Sequence, residues 1–145
     1  MAFVFRPLVL AQDLAAICQL TAQLGYPADS NQIYQRFARI QQEPNYDCYV
    51  MQYHQKVIAY IGLIEQWSWQ ADQPQLLIQA FVVDAAYRAQ GIGRLMLQKV
   101  EQIAAERHIQ VIKLYSGNRP ERMAAHQFYQ NQGFIIESLG FKKIL

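Results

Sequence analysis

Cysteine is scarce in this chain of 145 residues: Cys18 and Cys48 are the only two. Two thiols cannot build a disulfide framework, and these show no metal-ligand spacing. His54, His108 and His126 lack such spacing as well, so no metal is expected. Charge is sparse. Charged residues make up 17% of the chain and the net charge is +2, too small a surplus for a nucleic-acid footprint. No apolar run reaches the ~18 residues of a membrane span. The opening Met1-Ala2-Phe3-Val4-Phe5-Arg6 lacks the basic stretch and apolar run of a secretory signal. These absences predict a cytoplasmic protein with neither nucleic acid nor a membrane as partner. Linkers, low-complexity segments and repeats are missing too, which predicts one domain over residues 1–145.

Apolar residues, by contrast, make up 52% of the chain. A chain this long buries roughly two-thirds of its unfolded surface, enough for a real core. The charges are unevenly placed. Residues 1–87 carry four basic and seven acidic groups, whereas residues from Arg88 onward carry nine basic and four acidic. One half could meet an anion and the other a cation.

Phe3-Val4-Phe5 reads as a short strand. Ala11 to Leu24 has apolar residues at helical spacing and ends at Gly25 and Pro27. Asp29 and Ser30 are N-cap candidates for a second helix with the stripe Ile33, Phe37 and Ile40. Tyr46 to Tyr53, Lys56 to Trp69 and Leu76 to Val83 are rich in β-branched and aromatic residues and read as antiparallel strands. A helix from Gly91 to Arg107, a strand from Val111 to Tyr115 and a short helix from Glu121 to Gln132 follow. Phe134 to Leu145 has room for one or two closing strands. The order β-α-α-β-β-β-α-β-α-β predicts a mixed α/β domain.

The segment Val82-Val83-Asp84-Ala85-Ala86-Tyr87-Arg88-Ala89-Gln90-Gly91-Ile92-Gly93-Arg94 carries the most chemistry. A strand ends, a turn follows, and a helix opens on two glycines with Arg88 and Arg94 beside it. A helix start offers unpartnered N–H groups and partial positive charge, and glycine lets a ligand approach the backbone. The segment can therefore cradle a phosphate or pyrophosphate. It can also be an ordinary glycine-containing helix start. It is no Walker loop, because Arg94-Leu95 follows Gly93. It is no dinucleotide fingerprint either, because Met96 stands where the third glycine belongs.

Arg88-x-x-Gly91-x-Gly93 after Val82-Val83-Asp84 resembles the acyl-CoA-binding motif of the GNAT family of N-acetyltransferases. Ala125-His126-Gln127-Phe128-Tyr129, followed by Gly133-Phe134, resembles that family's second signature. The element order matches as well, so the resemblance covers the whole chain. It implies a splayed, mostly antiparallel sheet flanked by about four helices. It implies acetyl-CoA as co-substrate, with its pyrophosphate on the backbone of Ala89, Gln90, Gly91, Ile92, Gly93 and Arg94 and the Arg88 side chain alongside. Phe81, Val82 and Val83 would lend backbone groups to the pantetheine arm, and Asn118 would lie near it. Tyr129 would be the acid that protonates the departing thiolate, since a phenol remains protonated at neutral pH.

The base is open. Family members often carry a carboxylate on the strand before the phosphate motif, yet Leu76 to Phe81 holds none. Glu65 is the nearest substitute, and His126 or a water relay are alternatives. Tyr26, Tyr34, Phe37, Trp67 and Trp69 lie where the family places its acceptor. Within the family the chain looks most like aminoalkylphosphonate or aminoglycoside 6′-type enzymes, which implies a small-molecule primary amine as acceptor. The competing readings are a non-catalytic acyl-CoA-binding regulatory module and a protein N-acetyltransferase. The apolar ending Phe141 to Leu145 could serve a homodimer interface or a last strand.

Overall fold

The computed structural model describes residues 2–145. The described residues form β1 (Phe3–Pro7), α1 (Leu10–Leu24), α2 (Ser30–Ile40), β2 (Tyr46–Tyr53), β3 (Lys56–Gln66), β4 (Gln75–Val83), α3 (Ile92–Glu106), β5 (Ile112–Leu114) and α4 (Met123–Asn131). Short 3-10 turns occupy Ala85–Tyr87 and Pro120–Arg122. The five strands form one sheet in chain order, with β1 to β4 antiparallel. The fold is therefore mixed α/β with a mostly antiparallel sheet. The chain divides into two compact units, one running to Lys113 and the other from Leu114 to Leu145.

In the first unit the three-stranded antiparallel meander β2–β3–β4 is the centre. Val57 to Ile61 are all buried, so β3 needs apolar cover on both faces. Ile17 and Leu20 of α1 and Ile33 of α2 share a cluster with Val50, Tyr60 and Val82. Phe37 packs against this cluster and meets the Tyr60 ring edge-on at 5.9 Å. Buried Tyr60 satisfies its hydroxyl on Thr21 Oγ1 at 2.8 Å. The buried side of α3 (Ile92, Met96, Leu97, Val100, Ala104) lies outside that cluster and packs on β4. The second helix begins as the sequence predicts: Asp29 and Gln32 form a reciprocal capping box.

One ion pair ties β1 to α1. Asp13 is 3% exposed, and Arg6 donates to both its oxygens at 2.8 Å while Val9 N–H adds a third bond. The Arg6 hydrogen bonds hold the Asp13 carboxyl below the usual carboxylate range, and Asp13 in turn raises Arg6.

Two irregularities shape the sheet near the end of β4. Across β3–β4 the register passes from Gly62↔Ala80 to Leu63↔Ile78, so Gln79 is an extra residue in β4. Across β2–β3 it passes from Met51↔Ala59 to Gln52↔Val57, and the carbonyl of the extra residue Ile58 accepts from Asp84 N at 2.7 Å.

In the second unit α4 is closed by a Schellman motif. Gly133 has φ of 94°, its N–H bonds the Gln130 carbonyl, and the Phe134 N–H bonds the Tyr129 carbonyl at 3.0 Å. The closing strands expected after Phe134 are not formed. A strand requires a ladder partner, and residues 134–145 belong to no ladder here. Ile135, Ile136, Leu139, Phe141, Ile144 and Leu145 are exposed instead. The third strand also stops earlier than expected, at Gln66, so Trp67 and Trp69 sit exposed on the β3–β4 connection.

Candidate active site

The turn between β4 and α3 is built from side chains that hold it from below. Asp84 N–H is fixed on Ile58, and its carboxylate accepts from Ala86 N at 3.1 Å and from Gln23 Nε2 at 3.3 Å. Lys56 Nζ stands 3.5 Å from the other oxygen and 5.3 Å over the Tyr87 ring. The Ala86 N–H bond is the main cause that keeps the Asp84 carboxyl below its ordinary value. Gln23 also accepts from Ala85 N at 2.8 Å.

Beyond this base the backbone turns left-handed twice, at Ala89 (φ 61°) and Gly91 (φ 80°). No side chain caps α3, and Leu95 N–H reaches back to the Gly91 carbonyl at 3.0 Å. The N–H groups of Ile92, Gly93 and Arg94 therefore have no intrahelical partner. Nothing lies within 4 Å of the place a Gly91 Cβ would take, so the mouth of the turn is open. Unpartnered amides, the positive helix end and open space suit a phosphate or diphosphate. Because the cost at Gly91 is conformational rather than steric, Gly91→Ala should lower stability by about 1–2 kcal/mol. A denaturant titration checks this.

Arg88 is exposed but turns back, donating through Nε to the Val83 carbonyl at 3.1 Å. Phe81, Val82 and Val83 form the last stretch of β4, with Val82 buried. β5 has three residues against nine in β4, and the Leu76 N–H meets the Val111 carbonyl near the start of β4. β5 therefore cannot accompany the Phe81–Val83 end. The bulge at Gln79 and the absent Cβ of Gly62, whose position would lie 3.6 Å from Ala80 Cβ, belong to the same region. Sequence reading did not single out either one.

Glu65 lies elsewhere. It pairs with Leu76, at the opposite end of β4 from Val83, and is 3.5 Å from Arg107 Nη1. Arg107 follows the last turn of α3, whose 15 residues span roughly 22 Å from the Gly91 end. The same arginine donates to Asp47 at 2.9 Å. Glu65 is thus part of an ion-pair group joining α3 to β2 and β3, and the structure does not bring it to the turn. Trp67 and Trp69 share that far end, and Tyr26 and Tyr34 are exposed. Phe37 is engaged in the core.

In the second unit Tyr129 is half-buried on α4, with its ring 5.6 Å from Phe128 and 5.9 Å from Phe134. Burial pushes its phenol above the ordinary tyrosine value, and nearby Arg122 opposes the shift. Asn118 is exposed in the preceding loop. His126 Nε2 lies 3.0 Å from the Gly117 carbonyl and 3.1 Å from Ser116 Oγ. A carbonyl only accepts, so Nε2 carries the hydrogen in that contact. Burial raises the Cys48 thiol to about 12, which makes it a poor nucleophile. Among the described residues no group of three or more His, Cys, Asp or Glu could hold a metal ion, and no helix is long and apolar enough to cross a membrane.

The chain belongs to the Acetyltransferase (GNAT) family, which matches it over residues 14–134. No curated protein matches it. Among solved structures it is similar to a GNAT family acetyltransferase from Staphylococcus aureus (24% identity, TM-score 0.85, all of both chains covered). It is also similar to aminoglycoside N-acetyltransferase AAC(6′)-Iy in complex with CoA (14% identity, TM-score 0.82, covering 99% of this chain and 95% of that one). A third likeness is to glucosamine-6-phosphate N-acetyltransferase from Arabidopsis thaliana (16% identity, TM-score 0.78, 99% of both chains). At these identities the structural likenesses speak for the fold.

Proposed function

We propose that this protein is an acetyl-CoA-dependent N-acetyltransferase acting on a primary amine of a small molecule. The observation that carries this reading is the open turn of unpartnered amides at the start of α3, in a chain of the acetyltransferase family. In this reading the backbone from Ala89 to Arg94 holds the diphosphate, with Arg88 and Arg94 beside it. The Phe81–Val83 end of β4, paired with β3 and beyond the reach of the three-residue β5, lends backbone groups to the pantetheine arm, and Asn118 lies near that arm.

The chemistry is a direct attack. The amine nitrogen bonds to the acetyl carbon, the carbon–sulfur bond breaks, and the thiolate takes its proton from Tyr129. Glu65 is left out of the proton path because Arg107 holds it at the far end of β3. The ammonium loses its proton through water, or the small free-amine fraction is captured. Neither cysteine takes part, so no acyl-enzyme forms. The aminoglycoside and sugar-phosphate enzymes among the similar structures support a small-molecule acceptor, as does the acidic balance of residues 1–87. We further propose a cytoplasmic single-domain protein that forms a homodimer through its exposed apolar ending.

Two measurements test this. Acetyl-CoA at a hundred times its Kd should stabilise the fold by about 2.7 kcal/mol, raising the thermal midpoint by roughly 5–10 °C. Polyamines, aminoglycosides, aminoalkylphosphonates, amino acids and peptides should then be screened for amine-dependent thiol release. Stabilisation with no thiol release from any amine would replace the enzyme by a CoA-binding module. No stabilisation at all would remove the cofactor reading.

A further inference from the structure

The Gln23 side chain links α1 to the turn that precedes α3 through two hydrogen bonds. Its carbonyl oxygen accepts from Ala85 N at 2.8 Å, and its amide nitrogen donates to Asp84 Oδ1 at 3.3 Å. That same Asp84 oxygen accepts from Ala86 N. One amide group therefore engages the first residues of the turn directly at Ala85 and indirectly at Ala86. Gln23 stands 61 residues away from Asp84 in the chain, in the last turn of α1 and two residues before the left-handed Gly25 that ends it.

Further support comes from β2 and β3: the Ile58 carbonyl, Lys56 and, against Tyr87, the Tyr53 ring at 6.1 Å. These contacts hold Asp84 and Tyr87 against the sheet. Gln23 holds the solvent side, where Ala85 and Ala86 are exposed. Without it, the Ala85 N–H loses its bond to α1. The turn then leads into two left-handed residues, Ala89 and Gly91, whose orientation aims the amides of Ile92 to Arg94. A preorganised backbone binds an anion with less ordering cost than a loose one.

We propose that Gln23 is a positioning residue for the coenzyme: it acts through Ala85 and Asp84 to fix the turn in its amide-presenting shape, and it fastens that turn to the end of α1. This rests on the coenzyme A reading above. Gln23 is exposed, so its role is separable from the core.

The experiment compares wild type with Gln23→Leu and, as a second helix-compatible variant, Gln23→Ala. Titration calorimetry measures the Kd for coenzyme A, thermal melts of the unliganded proteins measure stability, and nitrogen-15 spectra follow amide exchange at Ala85 and Ala86. Losing two partly exposed hydrogen bonds should weaken coenzyme A binding about five-fold or more. The unliganded melting temperature should stay within a few degrees of wild type, and Ala85 exchange should quicken. Unchanged Kd in both variants overturns the proposal, whatever their melting temperatures. Unchanged exchange at Ala85 overturns it as well. Should wild type itself fail to bind coenzyme A, the cofactor reading falls and takes this role with it; should wild type bind and the variants bind equally, only the role of Gln23 falls.

Discussion

Tyr129→Phe is expected to lower turnover of a confirmed acceptor by about 100-fold or more, in line with the loss of a positioned general acid. Coenzyme A affinity and the thermal midpoint should remain near wild type. The aromatic contacts of the ring with Phe128 and Phe134 do not use the hydroxyl, so phenylalanine keeps them. What disappears is a proton donor whose burial keeps it protonated beyond the ordinary tyrosine range. The sign of the pH dependence follows. A group that works as an acid is active while protonated, so the rate should hold through neutral and mildly alkaline pH. It should fall only above the reference value of ~10. Steady-state thiol release against pH checks both parts. Turnover equal to wild type would take Tyr129 out of the reaction and leave the thiolate to depart unassisted.

Arg6→Met is expected to cost about 2–4 kcal/mol of folding stability, toward the lower end of the cost of breaking a buried ion pair. The Asp13 side chain is only 2% exposed, and among the described residues the variant would leave it the Val9 N–H as a hydrogen-bond partner. The arginine is 20% exposed, which is why the lower end applies. The pH trend is a second check. The Asp13 carboxyl is depressed in the folded state, so its contribution is present above its unfolded value of ~3.9 and is lost as pH falls through the folded value. The gap between wild type and variant should therefore be full at neutral pH and narrow in acid. Urea titrations at pH 7 and pH 3 would measure it. An equal gap at both would show that packing of the arginine stem, not its charge, carries the effect.

The sequence was most informative where the deciding residues are neighbours. The two glycines, the flanking arginines and the preceding strand are consecutive, and the turn they form follows from local backbone chemistry. The capping box at Asp29 and Gln32 is similarly local. The place of Glu65 is illegible for the opposite reason. Its strand is legible in the β-branched and aromatic run, but which end of the sheet it occupies depends on the register Glu65↔Leu76 and on Arg107 arriving from α3. Gln23 sends no signal along the chain at all, because an exposed glutamine late in a helix is ordinary until the fold brings Ala85 to it. The bulge at Gln79 is equally silent. The tail shows another limit: apolar residues from Ile135 to Leu145 express a preference for cover, and a preference does not supply the strand that would satisfy it.

The closure of α4 carries a consequence for how the chain can vary in length. Gly133 reverses the backbone at a fixed step after Tyr129, and Phe134 folds back to bond the Tyr129 carbonyl. One residue inserted between the two would carry the phenol about 100° around the helix axis and away from the Phe134 ring. Related chains should therefore gain and lose residues in the loop before Pro120 or in the tail beyond Phe134, while the spacing from tyrosine to glycine stays constant.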